Sequence, residues 1–446
     1  MNSLADAAAY LEGLINHERR PGFSYARLDL EPIRALLDRL GNPQDRLSVI
    51  HVAGSKGKGS TCLFAEAILG QLGERVGTFT SPHLESWVER FRVGGRPVEA
   101  VRLVEAIRRL RPLVDEACAG PAERRPSFFD ATTAAAFLLF ETAGVDRALI
   151  EVGLGGRLDS TNVVSPAVTC ITSIELEHTA ILGETEGEIA REKAGILKPG
   201  IPVVSGLLRP EAARVIRARA AEVGAPLITW GGSFHVDRIG GPRPGRNGFV
   251  FRQAANDGRP GFEVAAELAV PGRAAVGNAA LAIACVRALG VHSDAALREA
   301  IPAALADCRL PGRIETLEHD PRVIVDAAHT AESARALAEA LTTLAPDGVD
   351  LLLSVSSDKN RDLVLGALLP CARRVWVTRA EPIRSMPADA LARHVSRLDP
   401  TRRVEVVEDA EEAVERARGG LEEGRRLCVT GSIYLAGIAR RVLRPG

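Results

Sequence analysis

Neither sign of charge dominates this sequence: Lys and Arg number 56, and Asp and Glu 57. That balance leaves no electrostatic footprint for non-specific nucleic-acid binding, although a local basic pocket for a small anion is compatible with it. No CxxC pair occurs, and Cys62, Cys118, Cys170, Cys285, Cys308, Cys371 and Cys428 are scattered through apolar or helical contexts. A zinc site or disulfide framework is therefore not expected, and buried free thiols are. No apolar run is long enough to span a bilayer. The first ten residues include Asp6 and no basic cluster ahead of an apolar core, so no signal peptide is expected. There is no repeat and no low-complexity tract. What is present, 46% apolar and 25% charged residues over 446 positions, describes a cytoplasmic globular protein of two or three domains with a sizeable core.

The chain alternates apolar β-rich runs with helical patterns. Residues 47–53, 148–152, 168–174 and 202–205 read as buried strands, and 61–72, 98–114 and 131–141 as helices. Such alternation predicts a mostly parallel sheet covered by helices. Between about 230 and 270, short apolar pieces broken by glycine and proline read as turns and short antiparallel strands. A second α/β series follows Pro311, with strands at 323–325, 351–355, 374–378, 404–407 and 427–430 and a helix at 333–344. We expect a first domain over 1–304 and a second over 305–446, with the active site in the cleft between them.

The most informative segment is His51-Val-Ala-Gly-Ser-Lys-Gly-Lys-Gly-Ser60. It joins a strand to a helix through glycines, which let backbone amides wrap a phosphate at the positive end of the helix. Lys58 can neutralise the outer phosphates, and Ser60 or Thr61 can reach a metal. The spacing departs from the general GxxxxGK[ST] rule, because two residues separate Gly54 from Gly57. A plain glycine-rich turn is the competing reading. Further on, Glu151-Val-Gly-Leu-Gly-Gly-Arg-Leu-Asp159 places a carboxylate at a strand end, where it can meet a metal. Its glycines would allow close approach of a substrate, and Arg157 can pair with an anion. The GxGxxG dinucleotide spacing is not met, since Arg157 and Leu158 follow the third glycine.

The short phosphate loop resembles that of the Mur ligase superfamily. With Lys56 and Gly59 it is similar to the folylpolyglutamate synthase and dihydrofolate synthase family. Further segments occur in that family's order: Thr80-Ser-Pro-His-Leu84 with Glu89-Arg-Phe-Arg92, Glu151 to Asp159, Glu177-His178, Glu192-Lys-Ala-Gly195, Pro311-Gly-Arg-Ile-Glu315 and Asp326-Ala-Ala-His-Thr330. The resemblance spans about residues 29–437. It implies a P-loop NTPase-like central α/β domain that binds ATP and a pterin, followed by a smaller Rossmann-like glutamate-ligase domain.

The implied reaction is ATP-dependent amide formation between a folate-type carboxylate and L-glutamate through an acyl phosphate. By resemblance, the ATP residues are Gly57, Lys58, Gly59, Ser60, Thr61, Asn278, Arg313 and Asp326, with His329 beside the phosphates. Magnesium would be held by Ser81 and Glu151, and a second ion by His178. Lys193 would be carbamylated, becoming an anion that organises metal. Closure of the two domains would bring Asp326 and His329 onto the nucleotide. Ser127, Phe128, Phe129 and Asp130, with Gly155, Gly156 and Arg157, would contact the acceptor, the aromatics packing on a flat heterocycle and Asp130 accepting from its ring nitrogens. The expected partners are folate or dihydropteroate and L-glutamate, with no nucleic acid and no membrane, and the expected state is a monomer.

The sequence departs from the family pattern at several places. Glu177 replaces an aspartate, Asp130 a glutamate, Ala274 and Ala275 a His-Gln pair, and Ala327 and Thr330 a glycine and an asparagine; Asp29 and Pro32 alter the pterin loop. Two other readings follow: a Mur-type ligase with a different carboxylate acceptor, or a nucleotide-binding protein whose ligase activity has decayed. Retention of Lys58, Glu151, His178 and Lys193 favours a working ligase.

Overall fold

The structure is a computed structural model that describes residues 1–16, 28–238, 246–255, 260–357 and 360–445. Its first sheet has eight strands, of which the central ones are almost wholly buried, as a sheet covered on both faces requires. These are β1 (Val49–Ala53), β2 (Val76–Phe79), β3 (Phe91–Val93), β4 (Arg96–Pro97), β5 (Arg147–Glu151), β6 (Val168–Ile171), β7 (Val203–Ser205) and β8 (Leu227–Thr229). Their spatial order is β4-β3-β2-β5-β1-β6-β7-β8. Strands β2, β5, β1, β6, β7 and β8 run parallel, and β3 and β4 add an antiparallel edge.

The helices of this part are α1 (Leu4–Glu12), α2 (Glu31–Arg39), α3 (Lys58–Gln71), α4 (Ala100–Ala119), α5 (Phe128–Ala143), α6 (Thr179–Leu182), α7 (Glu186–Lys193) and α8 (Pro210–Glu222). One buried cluster packs α1, α2, α4 and α5 against β1, β2, β3 and β5 through residues such as Leu37, Phe79, Ile107 and Phe137. A second packs α7 and α8 against β6 and β7 through Ile171, Ile189, Val203 and Ile216. Strand β2 escaped the sequence reading because Gly77 interrupts its apolar run. The structure explains that glycine, since a Cβ there would lie 2.7 Å from the Phe140 ring. Helix α3 starts at Lys58, earlier than the apolar pattern alone indicated.

Strands β9 (Phe234–Arg238), β10 (Asn247–Gln253) and β11 (Phe262–Leu268) form a separate sheet in the order β11-β10-β9. Helices α9 (Arg273–Leu289) and α10 (Asp294–Asp307) follow. The third sheet holds β12 (Glu315–Thr316), β13 (Val323–Val325), β14 (Val349–Leu353), β15 (Ala372–Val377), β16 (Arg403–Val406) and β17 (Leu427–Thr430), in the order β12-β13-β17-β14-β15-β16. All its pairings are parallel except that of β12. Helices α11 (Ala331–Leu344), α12 (Arg361–Leu368), α13 (Ala388–Leu398), α14 (Ala410–Gly419) and α15 (Ile433–Val442) accompany it.

The chain resolves into two compact units: 1–237 with 250–266 and 277–306, and 238–249 with 267–276 and 307–446. Among the described residues, 246–249 and 267–276 therefore group with the carboxyl-terminal unit. None of the seven cysteines forms a disulfide. Among the described residues, no helix is long and apolar enough to cross a membrane.

Candidate active site

Strand β1 lies between β5 and β6, so the direction of strand succession reverses there. Such a reversal opens a crevice at the carboxyl ends of the strands, where α/β folds bind ligands. Residues 54–57 occupy that point. Gly54 and Gly57 have φ of 149° and 84°, and a Cβ would collide with Thr172 Oγ1 at the first and Asn278 Oδ1 at the second. Only glycine serves at either position. The loop is stitched to the segment after β6: the Ser55 amide donates to the Ser173 carbonyl at 2.8 Å, and Thr172 Oγ1 donates to the Lys56 carbonyl at 2.6 Å.

Lys58 opens the 14-residue helix α3, and its Nζ donates to the Gly54 carbonyl at 3.0 Å. Gly59, Ser60 and Thr61 form the first turn. Thr61 Oγ1 is buried and makes no hydrogen bond among the described residues. Asn278 reaches the loop from α9, as its contact with Gly57 demonstrates.

Glu151 ends β5 beside Val52. Its Oε2 accepts the Ser81 amide at 2.9 Å, and a Cβ on Gly59 would stand 3.1 Å from the same oxygen. The carboxylate therefore touches both the phosphate helix and the Ser81 loop. That loop depends on Glu89, whose carboxylate accepts the amides of Leu84, Glu85 and Ser86 at 2.8, 3.0 and 2.8 Å. The sequence reading quoted Glu89 without a role; its position three residues after Ser86 carries the signature of a capping box.

Lys193, at the end of α7, is buried, and its ammonium lies 3.0 Å from Glu177 Oε1. Burial pushes this amine down to about 8, with Lys58 adding to the effect and Glu177 opposing it. His178, next to Glu177, has φ 47° and ψ 37°, a left-handed conformation unusual for a residue with a Cβ. Such strain persists only where surrounding structure imposes it.

In the second unit, Asp326 follows β13. Its two oxygens accept the amides of Ile314 and Ala328, each at 2.8 Å. Burial raises its carboxyl above the ordinary range despite the opposing charge of Arg313. His329 Nδ1 lies 2.9 Å from the Ala327 carbonyl. Thr330 caps α11 in a capping box with Ser333, so this departure from the family pattern serves the helix.

Residues 312–433 match the Mur ligase glutamate ligase domain family. The dihydrofolate synthase/folylpolyglutamate synthase of Bacillus subtilis is 32% identical over 450 aligned residues, covering 98% of this chain and 99% of the relative. The chain belongs to the folylpolyglutamate synthase and dihydrofolate synthase family. Membership makes it an ATP-dependent ligase of the Mur type. A probable bifunctional folylpolyglutamate synthase/dihydropteroate synthase of Haloferax volcanii is 33% identical over 98% of this chain, and the chain spans half of that protein's length. Among solved structures, Mycobacterium tuberculosis folylpolyglutamate synthase complexed with ADP superimposes with a TM-score of 0.86 at 32% identity, covering 99% of this chain and 98% of that one.

The residues of this synthase family member that the resemblance assigns to the acceptor make the following contacts within the chain. Asp130 faces inward: its Oδ2 accepts the Ser127 amide and hydroxyl at 2.7 Å each, and its Oδ1 accepts Ser160 Oγ at 2.6 Å. It closes the capping box of α5. Phe129 lies 5.9 Å from Phe79 and under Gly153, where a Cβ would meet its ring at 2.6 Å. Phe128 meets Trp87 edge-on at 5.6 Å. The Phe128 and Phe129 rings are partly buried and pack against the core of this unit.

Helix α7 approaches Gly156 closely: a Cβ there would lie 2.9 Å from the Glu192 carbonyl and 3.0 Å from that of Lys193. Gly155, with φ 68°, turns the same loop. Arg157 pairs in a fork with Glu192, both contacts at 3.0 Å. The two family motifs at 151–159 and 192–195 thus pack against each other. Pro32, another departure, stands in the first turn of α2, where a proline is accommodated.

Proposed function

We propose that this ligase joins L-glutamate to the carboxylate of a folate or dihydropteroate. The γ-phosphoryl group of ATP passes to a carboxylate oxygen, giving an acyl phosphate and ADP. The glutamate amine then attacks the acyl carbon, loses its proton, and phosphate leaves. The single observation that supports this reading is the assembly of Lys58, Glu151, Ser81 and Lys193 around one switch-point loop. Phosphoryl transfer asks mainly for positioning and charge neutralisation, which loop amides and Lys58 supply. In the second unit, Arg313, Asp326 and His329 serve the nucleotide.

Magnesium fits the donors. Ser81 and Glu151 offer oxygens beside the loop, and Thr61 Oγ1 is buried without a protein partner among the described residues. Among those residues, no three His, Cys, Asp or Glu side chains form a cage by themselves. That suits an ion which keeps waters and takes oxygens from phosphates. When bound, it neutralises phosphate charge. His178 would join a second ion, together with Glu151 or a carbamate on Lys193. The carbamate forms when the neutral Lys193 amine attacks the carbon of carbon dioxide and releases a proton. Burial of Lys193 favours that neutral amine.

The test is ADP release by the purified chain with glutamate and, in turn, dihydropteroate, dihydrofolate and tetrahydrofolate, with mass detection of a product one glutamate heavier. ADP release that needs no folate, or a product built on another acceptor, would sink the reading.

A further inference from the structure

Glu177 stands six residues past the end of β6, and its side chain is 15% exposed. Its Oε1 lies 3.0 Å from Lys193 Nζ and its Oε2 3.7 Å from Lys56 Nζ. Burial pushes its carboxyl up, but Lys193, Lys58 and Lys56 together hold it below the ordinary value. One carboxylate therefore balances three ammonium groups.

Lys56, like its neighbour Ser55, is tied to the β6 side, and it alone of the two adds a charged side chain to the tie. Its amide donates to Ser173 Oγ at 2.9 Å, and its carbonyl accepts from Thr172 Oγ1 and Ser173 Oγ at 2.6 and 3.2 Å. Backbone and side chain of one loop residue are thus anchored to the same segment, 172–177. Glycines on either side give the loop no stiffness of its own, so its shape depends on such anchors.

We propose that Glu177 is a positioning residue for the nucleotide: it holds Lys56, and through Lys56 keeps residues 54–57 in the form that receives phosphates. The proposal rests on the loop being the ATP site, not on the identity of the acceptor. It also survives modification of Lys193. A carbamate there would carry negative charge and release Glu177, leaving Lys56 as its cation.

The test is calorimetric titration of magnesium ATP into the full chain, without folate or glutamate. Lys56→Met and Glu177→Gln are each expected to weaken binding about tenfold, and the double variant no further, because coupled neighbours are not additive. Lys56→Arg is expected to bind within about twofold of wild type when Glu177 is present and not in the Glu177→Gln background. The melting temperature of Lys56→Met should stay at the wild-type value, since its side chain is 31% exposed. Wild-type affinity in Lys56→Met, or multiplied losses in the double variant, would overturn the proposal. If Glu177→Gln fails to fold because it strands the Lys193 ammonium, Lys56→Met and Lys56→Arg still decide: loss in the first with rescue in the second supports the clamp, and any other pattern refutes it. A wild-type chain that binds no ATP overturns both this and the ligase reading; wild-type binding with Lys56→Met unchanged overturns this one alone.

Discussion

His51 offers a quantitative test of how β1 is buried. It is fully enclosed in the strand that leads into the phosphate loop, with Nε2 2.9 Å from Thr161 Oγ1 and Nδ1 without a partner among the described residues. Burial, and secondarily the Lys198 ammonium, push its pKa down to about 3 from the ordinary 6.5. Between those values the unfolded chain binds a proton that the folded chain does not. Stability from this source is therefore complete above the unfolded value and is lost as pH falls toward the folded one. The slope is about 1.4 kcal/mol per pH unit, and integration from about pH 7 to about pH 5 gives a loss of about 2 kcal/mol.

The perturbation is His51→Gln, which keeps a polar group near Thr161 and removes the titration. Trp87 and Trp230 lie in the first unit and Trp376 in the second. Urea unfolding followed by fluorescence in a Trp376→Phe background thus reports the first unit. We expect the stability lost between the two pH values to be about 2 kcal/mol smaller in the variant, whatever its baseline cost. Equal losses in variant and parent would show that His51 is not the buried neutral base described here.

Lys58→Ala should reduce ADP production by a factor on the order of 100 or more in a chain whose circular dichroism is unchanged; near-normal turnover would remove Lys58 from the chemistry. Lys193→Ala should lose most activity and recover part of it with acetate, which can fill the place of a carbamate. Full activity without acetate would refute that role. Thr330→Ala should cost the second unit about 1 kcal/mol through the lost helix cap, read from Trp376 fluorescence in urea, and no change would contradict the capping box. Gly156→Ala should destabilise the first unit by about 1–3 kcal/mol, because its methyl overpacks the backbone of α7; wild-type stability would show that the loop has room to move.

What the sequence determined by itself was mostly local. Short apolar runs read correctly as β1, β5, β6, β7, β13 and β17, because a strand buried on both faces needs apolar residues at consecutive positions. The phosphate loop was legible because glycine spacing governs backbone shape over a few residues. The order of motifs along the chain pointed to the family. Ser127 and Asp130, which the resemblance assigns to the acceptor, also carry the spacing of a helix cap, and they form one. The partners of the polar groups were decided by tertiary structure. Lys193 meets Glu177 across 16 positions, and Gly57 meets Asn278 of a distant helix. Gly156 meets the backbone of α7. No periodicity encodes such meetings, because a side chain's charge and hydrogen bonds depend on what packing brings beside it, and that is set only when sheet and helices close around β1.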